Sequence, residues 1–329
     1  MKDLKILWLG KNDIYKMASY GKYFREALAE IAEVSTYGIG WPHPDLTIGK
    51  PWRHREKDIL KLVKTFKPDY IYIDLYFEWD NIPKTNVPVS IFWSDPHDRI
   101  DRYLLWVQEN KPDVCLLPYW GDYPQWGMQR LRENLPESIR LKYFPMSVNV
   151  DVFKDYGYER DIDLCLLGRV SRRWLPLRTT IINHYKDSKD YKVFYRPRPK
   201  RNWSWDDANL KKHDFVARES FAKLLARCKM WPFGLGITRY PLIKLFEGMA
   251  SKTLVLSDSP ADAERVHFTP DEDFVEINLD NFKEKIDYYL ENESERKKII
   301  ESGYKTVHKY HTTRIRAREL LDYVENELL

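Results

Sequence analysis

The sequence predicts an α/β protein with two Rossmann-like domains facing a cleft. Short apolar runs alternate with helix-length amphipathic segments, the pattern of βαβ units and parallel sheets. Residues 142–161, with proline, glycine and mixed charge, interrupt this alternation and are interpreted as a linker. A length of 329 residues also suits two domains of ordinary size.

The elements of the first half follow from the spacing of apolar residues. Short apolar runs predict strands, and apolar residues repeated at helical spacing predict helices. Strands are expected at residues 5–9, 34–37, 70–74, 89–93 and 114–117, and helices at 21–32, 55–66 and 100–109.

The alternation restarts after the linker. Strands are expected at 163–167, 192–195, 253–256 and 274–277, and helices at 177–185, 215–228, 242–249, 282–290 and 311–329. The predicted domains are residues 1–150 and 151–308, followed by a terminal helical segment at 309–329.

The composition excludes several classes of protein. With 43% hydrophobic and 32% charged residues, the chain is neither disordered nor collagen-like nor a disulfide scaffold. No apolar run is long enough for a membrane helix. Three cysteines within apolar runs fit reduced thiols, so a cytoplasmic protein is expected. The 12 tryptophans fit either core packing or the stacking of sugars or bases.

Residues 239–258 form a loop, a helix and an apolar strand in sequence. Free backbone N–H groups at the helix start, near Tyr240 to Lys244, would favour phosphate. Glu247 lies later on the same helix, where a carboxylate can accept both hydroxyls of a ribose. The alternative is an ordinary helix with a surface glutamate.

Three segments resemble one family of enzymes. KLFEGMASKTLVLSD resembles a segment of the GT-B glycosyltransferases, above all the family 4-like and CgeB-like (spore-maturation type) group. The tail at 281–328 and the passage KYFPMSVNVDVFKD, followed by RDIDLCLLGRVSRR, are similar to the corresponding parts of that family. The resemblance covers roughly residues 142–329, whereas the first half matches only in its order of elements.

The resemblance implies a GT-B fold whose last helix packs back on the N-terminal domain. It implies a nucleotide-diphosphate sugar as donor, UDP-sugar first, with neither a cofactor nor a metal. Glu247 then corresponds to the residue that holds the donor ribose, and Arg169 to the one that meets the diphosphate. Arg239 stands where the family has a further glutamate and Trp174 where it has a lysine, so retention and inversion stay open.

Residues 169–201 contain eleven basic and two acidic residues. Arginine binds a diphosphate with two parallel hydrogen bonds and neutralises a nucleotide leaving group. Arg169, Arg172 and Arg173 follow a strand end and are predicted to contact the diphosphate. The piece RPRPKRNWSW, which includes Trp203 and Trp205, fits either stacking of sugars or bases or a solvated loop.

The first half offers fewer candidates. Asp95 and His97 follow the strand predicted at 89–93 and could act as the base for an acceptor hydroxyl; a turn or helix cap is the alternative. Gly10 and Asn12 lie in the loop after the first strand and could approach the donor phosphates. That loop lacks G-x-G-x-x-G.

No metal site is predicted. The eight histidines are scattered, and the strings Asp161-Ile-Asp163 and Asp271-Glu-Asp273 are interpreted as incidental.

Together these features predict a glycosyltransferase that moves a sugar to a hydroxyl of a saccharide or small-molecule acceptor. Two alternatives stay open: a transferase acting on modified bases of nucleic acid, and a non-catalytic protein that binds a sugar nucleotide or polysaccharide.

Overall fold

The structure is a computed structural model that describes residues 4–10, 20–38, 41, 56–74, 82, 84–93, 100–121, 128–197 and 216–329. The chain divides into two compact units. Unit 1 comprises Met1–Pro145 and Arg314–Leu329, and unit 2 comprises Met146–Thr313. Among the described residues, no helix combines the length and the apolar character that crossing a membrane requires.

Unit 1 contains a six-stranded parallel sheet of order β2-β1-β3-β4-β5-β6. Its strands are β1 (Lys5–Leu9), β2 (Glu33–Tyr37), β3 (Tyr70–Asp74), β4 (Val89–Phe92), β5 (Val114–Leu117) and β6 (Arg140–Tyr143). Its helices are α1 (Tyr20–Ala29), α2 (Glu56–Phe66), α3 (Ile100–Asn110), α4 (Met128–Asn134) and α10 (Thr313–Glu327). The central strands are buried on both faces, which is why they appear in the sequence as continuous apolar runs.

An aromatic cluster forms part of the core of unit 1. Trp8 of β1 stacks on Tyr72 of β3 with ring centroids 4.3 Å apart, and Phe24 of α1 packs against both. The terminal helix α10 belongs to this unit. It is held there by the Arg314–Glu30 ion pair at 2.8 Å and by Tyr323, whose ring lies 4.5 Å from Lys142 Nζ.

Unit 2 contains a five-stranded parallel sheet of order β11-β10-β9-β7-β8. Its strands are β7 (Ile162–Gly168), β8 (Val193–Pro197), β9 (Cys228–Pro232), β10 (Leu254–Ser257) and β11 (Val275–Glu276). Its helices are α5 (Pro176–Tyr185), α6 (Arg218–Leu225), α7 (Ile243–Ala250), α8 (Phe282–Glu291) and α9 (Glu293–Tyr310). Leucines of β7 and β10 pack with Ile181 of α5 and Ile286 of α8 in one apolar cluster.

The two parallel-sheet Rossmann-like domains predicted from the sequence are therefore confirmed. Two sheet strands differ from the expectation. The predicted linker begins too early, because Lys142 and Tyr143 belong to β6, an edge strand whose residues are only partly buried. The helix predicted at 215–228 is wrong at its end, because Cys228 begins β9, which lies in the middle of the sheet.

Two helices also differ from the expectation. No helix was predicted between residues 290 and 311, where the structure has α9, whose 18 residues bury only a narrow stripe that includes Ile299, Gly303 and Val307. Helix α4 was not predicted. Its sequence, MQRLREN, holds few apolar residues with which to mark a helical face.

Candidate functional site

Polar side chains converge at the carboxyl edge of the unit 2 sheet. The strands are parallel, so the residues that follow β7, β9 and β10 leave the sheet at the same edge. In open α/β sheets, ligands bind outside this edge. The side chains found here come from the connections after these strands and from helices α5 and α7.

Gly168, the last residue of β7, allows two cations to approach the backbone. A Cβ at this position would lie 2.7 Å from Lys244 Nζ and 3.4 Å from Arg178 Nη1. The residue also has a φ of 126°, which side-chain-bearing residues rarely adopt. Glycine is therefore required here both by the backbone conformation and by the space that Lys244 occupies.

Lys244 lies in the first turn of α7 and reaches the end of β7. Its Nζ donates to the Leu167 carbonyl at 2.8 Å and lies 4.9 Å from the Trp231 ring centroid and 5.3 Å from that of Phe233. The carbonyl dipole and the two aromatic faces hold the ammonium in one place. A positive charge is thus fixed at the carboxyl edge of the sheet.

Arg178 of α5 is buried beside it. One guanidinium nitrogen donates to the Gly234 carbonyl at 2.5 Å, and the group lies over the Phe233 ring. These contacts anchor the connection after β9. The sequence placed Arg178 only among the residues of a basic segment and carried no signal of its burial.

Glu247 lies one helical turn after Lys244 on α7 and is 9% exposed. Burial raises the pKa of Glu247 to about 8, and the positive charge of Lys244 opposes part of this rise. No described residue forms a hydrogen bond with its carboxyl group. A largely buried carboxyl group with no hydrogen-bond partner among the described residues is a candidate for ligand binding.

The connection after β7 carries three exposed arginines. Arg169, Arg172 and Arg173 form no ion pair with any described acidic residue, and the Arg173 guanidinium lies 5.1 Å from the Trp174 ring centroid. The backbone of this connection is nevertheless fixed, because Ser171 N donates to Thr179 Oγ1 and Leu175 N donates to the Ser171 carbonyl. The structure therefore places these charges on a well-defined turn.

Arg239 and Tyr240 precede α7, which begins at Ile243. Arg239 Nε lies 3.8 Å from Asp258 Oδ2, and the Tyr240 side chain is 1% exposed. Asp258 accepts a hydrogen bond from Leu235 N at 2.7 Å. Burial raises its pKa, while that hydrogen bond and Arg239 oppose the rise. Asp258 was not among the predicted site residues, although its place two residues after the strand predicted at 253–256 was a usable signal.

No side chain caps the N-terminus of α7. Leu242 at the cap position is extended and contributes only its carbonyl, which accepts from Leu245 N at 3.0 Å. Helix N-termini carry partial positive charge and attract anions. The N-terminus of α7, which lacks a side-chain cap, therefore adds to the positive potential set by Lys244. A helix end alone does not define a site.

Several predicted residues lie elsewhere or outside the described part of the chain. Gly10 directly follows β1 in unit 1, where its N–H donates to the Tyr37 carbonyl and its own carbonyl accepts from Trp41 Nε1 at 2.9 Å. Asn12, Asp95, His97, Trp203 and Trp205 lie outside the described residues. Their roles stay predictions.

The acidic strings take part in ordinary contacts. Asp161 pairs with Arg227 at 2.6 Å and Asp163 with Lys229 at 2.7 Å, while Asp273 accepts hydrogen bonds from Ser302 and Thr306. Among the described residues, no group of three or more His, Cys, Asp or Glu side chains could hold a metal ion.

One family model matches the chain. Residues 177–322, somewhat less than half of the sequence, match the family described as glycosyl transferase-like. This segment includes Arg178 of α5, helix α7 and the connections after β9 and β10, but it begins after the connection that carries Arg169, Arg172 and Arg173. No curated protein matches the sequence.

Solved structures match nearly the whole chain. A sucrose-phosphate synthase from Thermosynechococcus elongatus aligns with a TM-score of 0.65 and 12% identity, covering 98% of each chain. Anabaena Alr3699/HepE, in complex with UDP and glucose, aligns with a TM-score of 0.66 and 10% identity, covering 98% of this chain and 100% of its own. AviGT4, a glycosyltransferase involved in avilamycin A biosynthesis, aligns at 0.58 and 12%, covering 98% and 97%. At such low identity these matches show the GT-B glycosyltransferase fold, as the sequence predicted.

Proposed function

We propose that the protein is a glycosyltransferase that takes a sugar from a nucleotide-diphosphate donor, UDP-sugar first, which binds to unit 2. The observation that carries this proposal is the placement of Glu247 and Lys244. One helix presents a buried carboxyl group without a hydrogen-bond partner among the described residues and, one turn earlier, an ammonium held against the end of β7.

These two groups match two parts of a nucleotide diphosphate. The ribose has two neighbouring hydroxyls, which donate to the oxygens of the Glu247 carboxylate. The diphosphate carries negative charge, which Lys244 and the uncapped start of α7 attract. Arg169, Arg172 and Arg173 supply further cations from the connection after β7.

Charge on the diphosphate grows as the bond to the sugar breaks. Fixed cations that meet this growing charge stabilise the transition state more than the bound donor. We assign this role to Lys244, Arg169 and Arg173. Arg239, tied to Asp258, and the buried Tyr240 hold the start of α7 in place for donor binding.

The acceptor hydroxyl loses its proton during transfer. We assign the base to Asp95 or His97, which follow β4, and place Gly10 and Asn12 in the connection that approaches the donor phosphates. If the reaction inverts the anomeric configuration, replacing the base abolishes transfer and spares donor binding. Retention with normal activity in both Asp95→Ala and His97→Ala would remove this assignment.

The comparisons support the donor class. Alr3699/HepE, whose fold this chain shares, was solved with UDP and glucose, and the matched family is described as glycosyl transferase-like. The structural match concerns the fold of nearly the whole chain, and the family match concerns a segment that lies mostly in unit 2.

Proton release on UDP binding tests the role of Glu247. Ribose hydroxyls that donate to the carboxylate favour its ionised form, so binding expels the proton that burial retains below pH 8. We expect UDP affinity to rise with pH between about 6 and 8, by up to about tenfold per pH unit. Calorimetry at pH 7 in buffers of different ionisation enthalpy measures the released proton directly.

Glu247→Gln is the matched variant, because glutamine keeps the shape of the protonated carboxyl group and cannot ionise. It should bind UDP without releasing a proton. 2′-Deoxy-UDP, which lacks one donating hydroxyl, should bind the wild type more weakly and bind Glu247→Gln with a smaller penalty. Equal proton release in the wild type and the variant would contradict the assignment, and binding of no nucleotide diphosphate would overturn the proposed function.

A further inference from the structure

Arg239, in the turn that precedes α7, has hydrogen-bond donors that no described residue uses. Its side chain is 44% exposed, and its Nε lies 3.8 Å from Asp258 Oδ2, which is an ion pair but too long for a hydrogen bond. The terminal nitrogens Nη1 and Nη2 form no hydrogen bond with any described residue. Asp258 therefore orients the guanidinium and leaves its terminal N–H groups available to a ligand.

The backbone of Arg239 is fixed from two sides. Its N–H donates to the Gly236 carbonyl at 3.1 Å, and its own carbonyl accepts from Ala261 N at 2.8 Å. Its φ is 49°, in the left-handed region that residues other than glycine seldom adopt. Such conformations persist where the surrounding contacts enforce them, and they are concentrated at functional sites. The base of the Arg239 side chain is thus held in one place.

Arg239 and Lys244 lie at the same edge of the unit 2 sheet but at different strands. Asp258, which orients Arg239, directly follows β10, whereas Lys244 meets the end of β7. Strand β9 lies between these two strands, so their ends are two strand spacings, or about 10 Å, apart. The two cations therefore suit different parts of one ligand.

The polar groups around α7 follow the order of the parts of a nucleotide sugar. Arg239 precedes the helix, Lys244 lies in its first turn, and Glu247 lies one turn later. In the proposed function, Lys244 and the helix start meet the diphosphate, and Glu247 meets the ribose. The diphosphate joins the ribose to the sugar, so the sugar lies on the side of the diphosphate away from Glu247, which is the side of Arg239.

The chemistry of Arg239 suits a carboxylate better than it suits hydroxyl groups. A guanidinium only donates and an ionised carboxylate only accepts, and the two planar groups match through two parallel hydrogen bonds. A hydroxyl group also donates, so a site for a neutral sugar needs acceptors. The carboxyl group beside Arg239 is already engaged, because Asp258 Oδ1 accepts from Leu235 N at 2.7 Å and Oδ2 faces Arg239.

We infer that the donor sugar is a hexuronic acid, whose carboxylate accepts two hydrogen bonds from the terminal nitrogens of Arg239. This inference rests on the proposed function, since it concerns the sugar of a donor held by Glu247 and Lys244. It assigns to Arg239 the discrimination between an acidic and a neutral sugar.

Matched pairs of UDP-sugars test the inference by titration calorimetry on the full-length protein. UDP-glucuronate and UDP-glucose differ only at C6, which is a carboxylate in the first and a CH₂OH group in the second. UDP-galacturonate and UDP-galactose form the second pair. We expect at least one acid to bind at least about tenfold more tightly than its neutral partner, because its contact with Arg239 is charge-assisted.

Variants of Arg239 show whether this residue causes the preference. Arg239→Ala should bring the affinity ratio of the pair close to one, and Arg239→Lys, which keeps the charge but loses the planar fork, should retain part of the preference. Arg227→Ala is the matched control, because Arg227 is 48% exposed and pairs with Asp161 at 2.6 Å just before the amino end of β9. It should keep the full preference.

The outcomes separate this inference from the proposed function. Binding of UDP without a preference for either acid would overturn the inference and leave the proposed function standing. A preference that persists in Arg239→Ala, or one that is lost equally in Arg227→Ala, would also overturn the inference. Failure of UDP and all four UDP-sugars to bind the wild type would remove the UDP-donor assignment and the inference together.

Discussion

The two units share one architecture and differ in the chemistry of their carboxyl edges. In unit 2, the connections after β7 and β8 contain eight basic and three acidic residues, and Lys244 adds a fixed cation beneath Gly168. In unit 1, the connections at the same places in the sheet order, after β1 and β2, contain five basic and two acidic residues and the tryptophans Trp41 and Trp52. At the end of β7, the Leu167 carbonyl accepts a hydrogen bond from Lys244 Nζ, whereas after β1 the Gly10 carbonyl accepts one from Trp41 Nε1. Residues outside the strands therefore carry the difference between the two edges.

The largest expected effect concerns the stability of unit 2. The pKa of Glu247 is about 8 in the folded chain, above its ordinary value of 4.5, so the folded state holds this proton more tightly than the unfolded state. Stability is fully present below pH 4.5 and is lost as the pH rises towards and through 8. The total loss is about 5 kcal/mol at most.

Calorimetric unfolding of the wild type and Glu247→Gln at a series of pH values measures this loss. The two proteins should unfold at similar temperatures near pH 5, and the variant should be the more stable one above pH 8. Parallel curves across that range would mean that Glu247 is solvated and ionised in the folded chain.

The second effect concerns the ammonium of Lys244, which lies at the carboxyl edge of the unit 2 sheet. Lys244→Ala removes the ammonium at the end of β7 and should weaken UDP binding by about 1.5–3 kcal/mol, since its partner is charged. Lys252→Ala, which lies just past the other end of α7 and pairs with Glu301 at 3.0 Å, is the matched control. Titration calorimetry measures both. Equal losses would indicate general electrostatic attraction rather than a built site.

The smallest effect concerns the exposed arginines. Salt screens exposed charges, so raising ionic strength should weaken UDP binding modestly. In Arg169→Ala and Arg173→Ala, UDP binding should depend less on salt. Each substitution should also raise the activation free energy of turnover by about 1 kcal/mol, which is more than its effect on the free energy of donor binding. Steady-state kinetics at two salt concentrations separates the two effects. A salt response that persists in both variants would move the diphosphate contact to other residues.

Much of the fold follows from local sequence patterns. Strands β3 and β5 have the limits that the sequence predicted, because strands buried on both faces appear as uninterrupted apolar runs. The edge strand β6 and the polar helix α9 escaped prediction, since β6 has no fully buried residue, α9 buries only four of its 18 residues, and neither shows a continuous apolar pattern.

The candidate site, like the fold, follows only in part from local sequence patterns. Glu247 and Lys244 are three residues apart on one helix, so the sequence by itself determined that they share a face. It also determined that Gly168 and three arginines follow a buried strand. Only the tertiary structure decided that Lys244 meets the Leu167 carbonyl, that buried Arg178 holds the connection after β9, and that Arg239 pairs with Asp258. These contacts join residues far apart in the chain, and they depend on β9 lying between β7 and β10. Strand β9 escaped prediction because its short apolar run follows helix α6 closely and continues the apolar pattern of that helix.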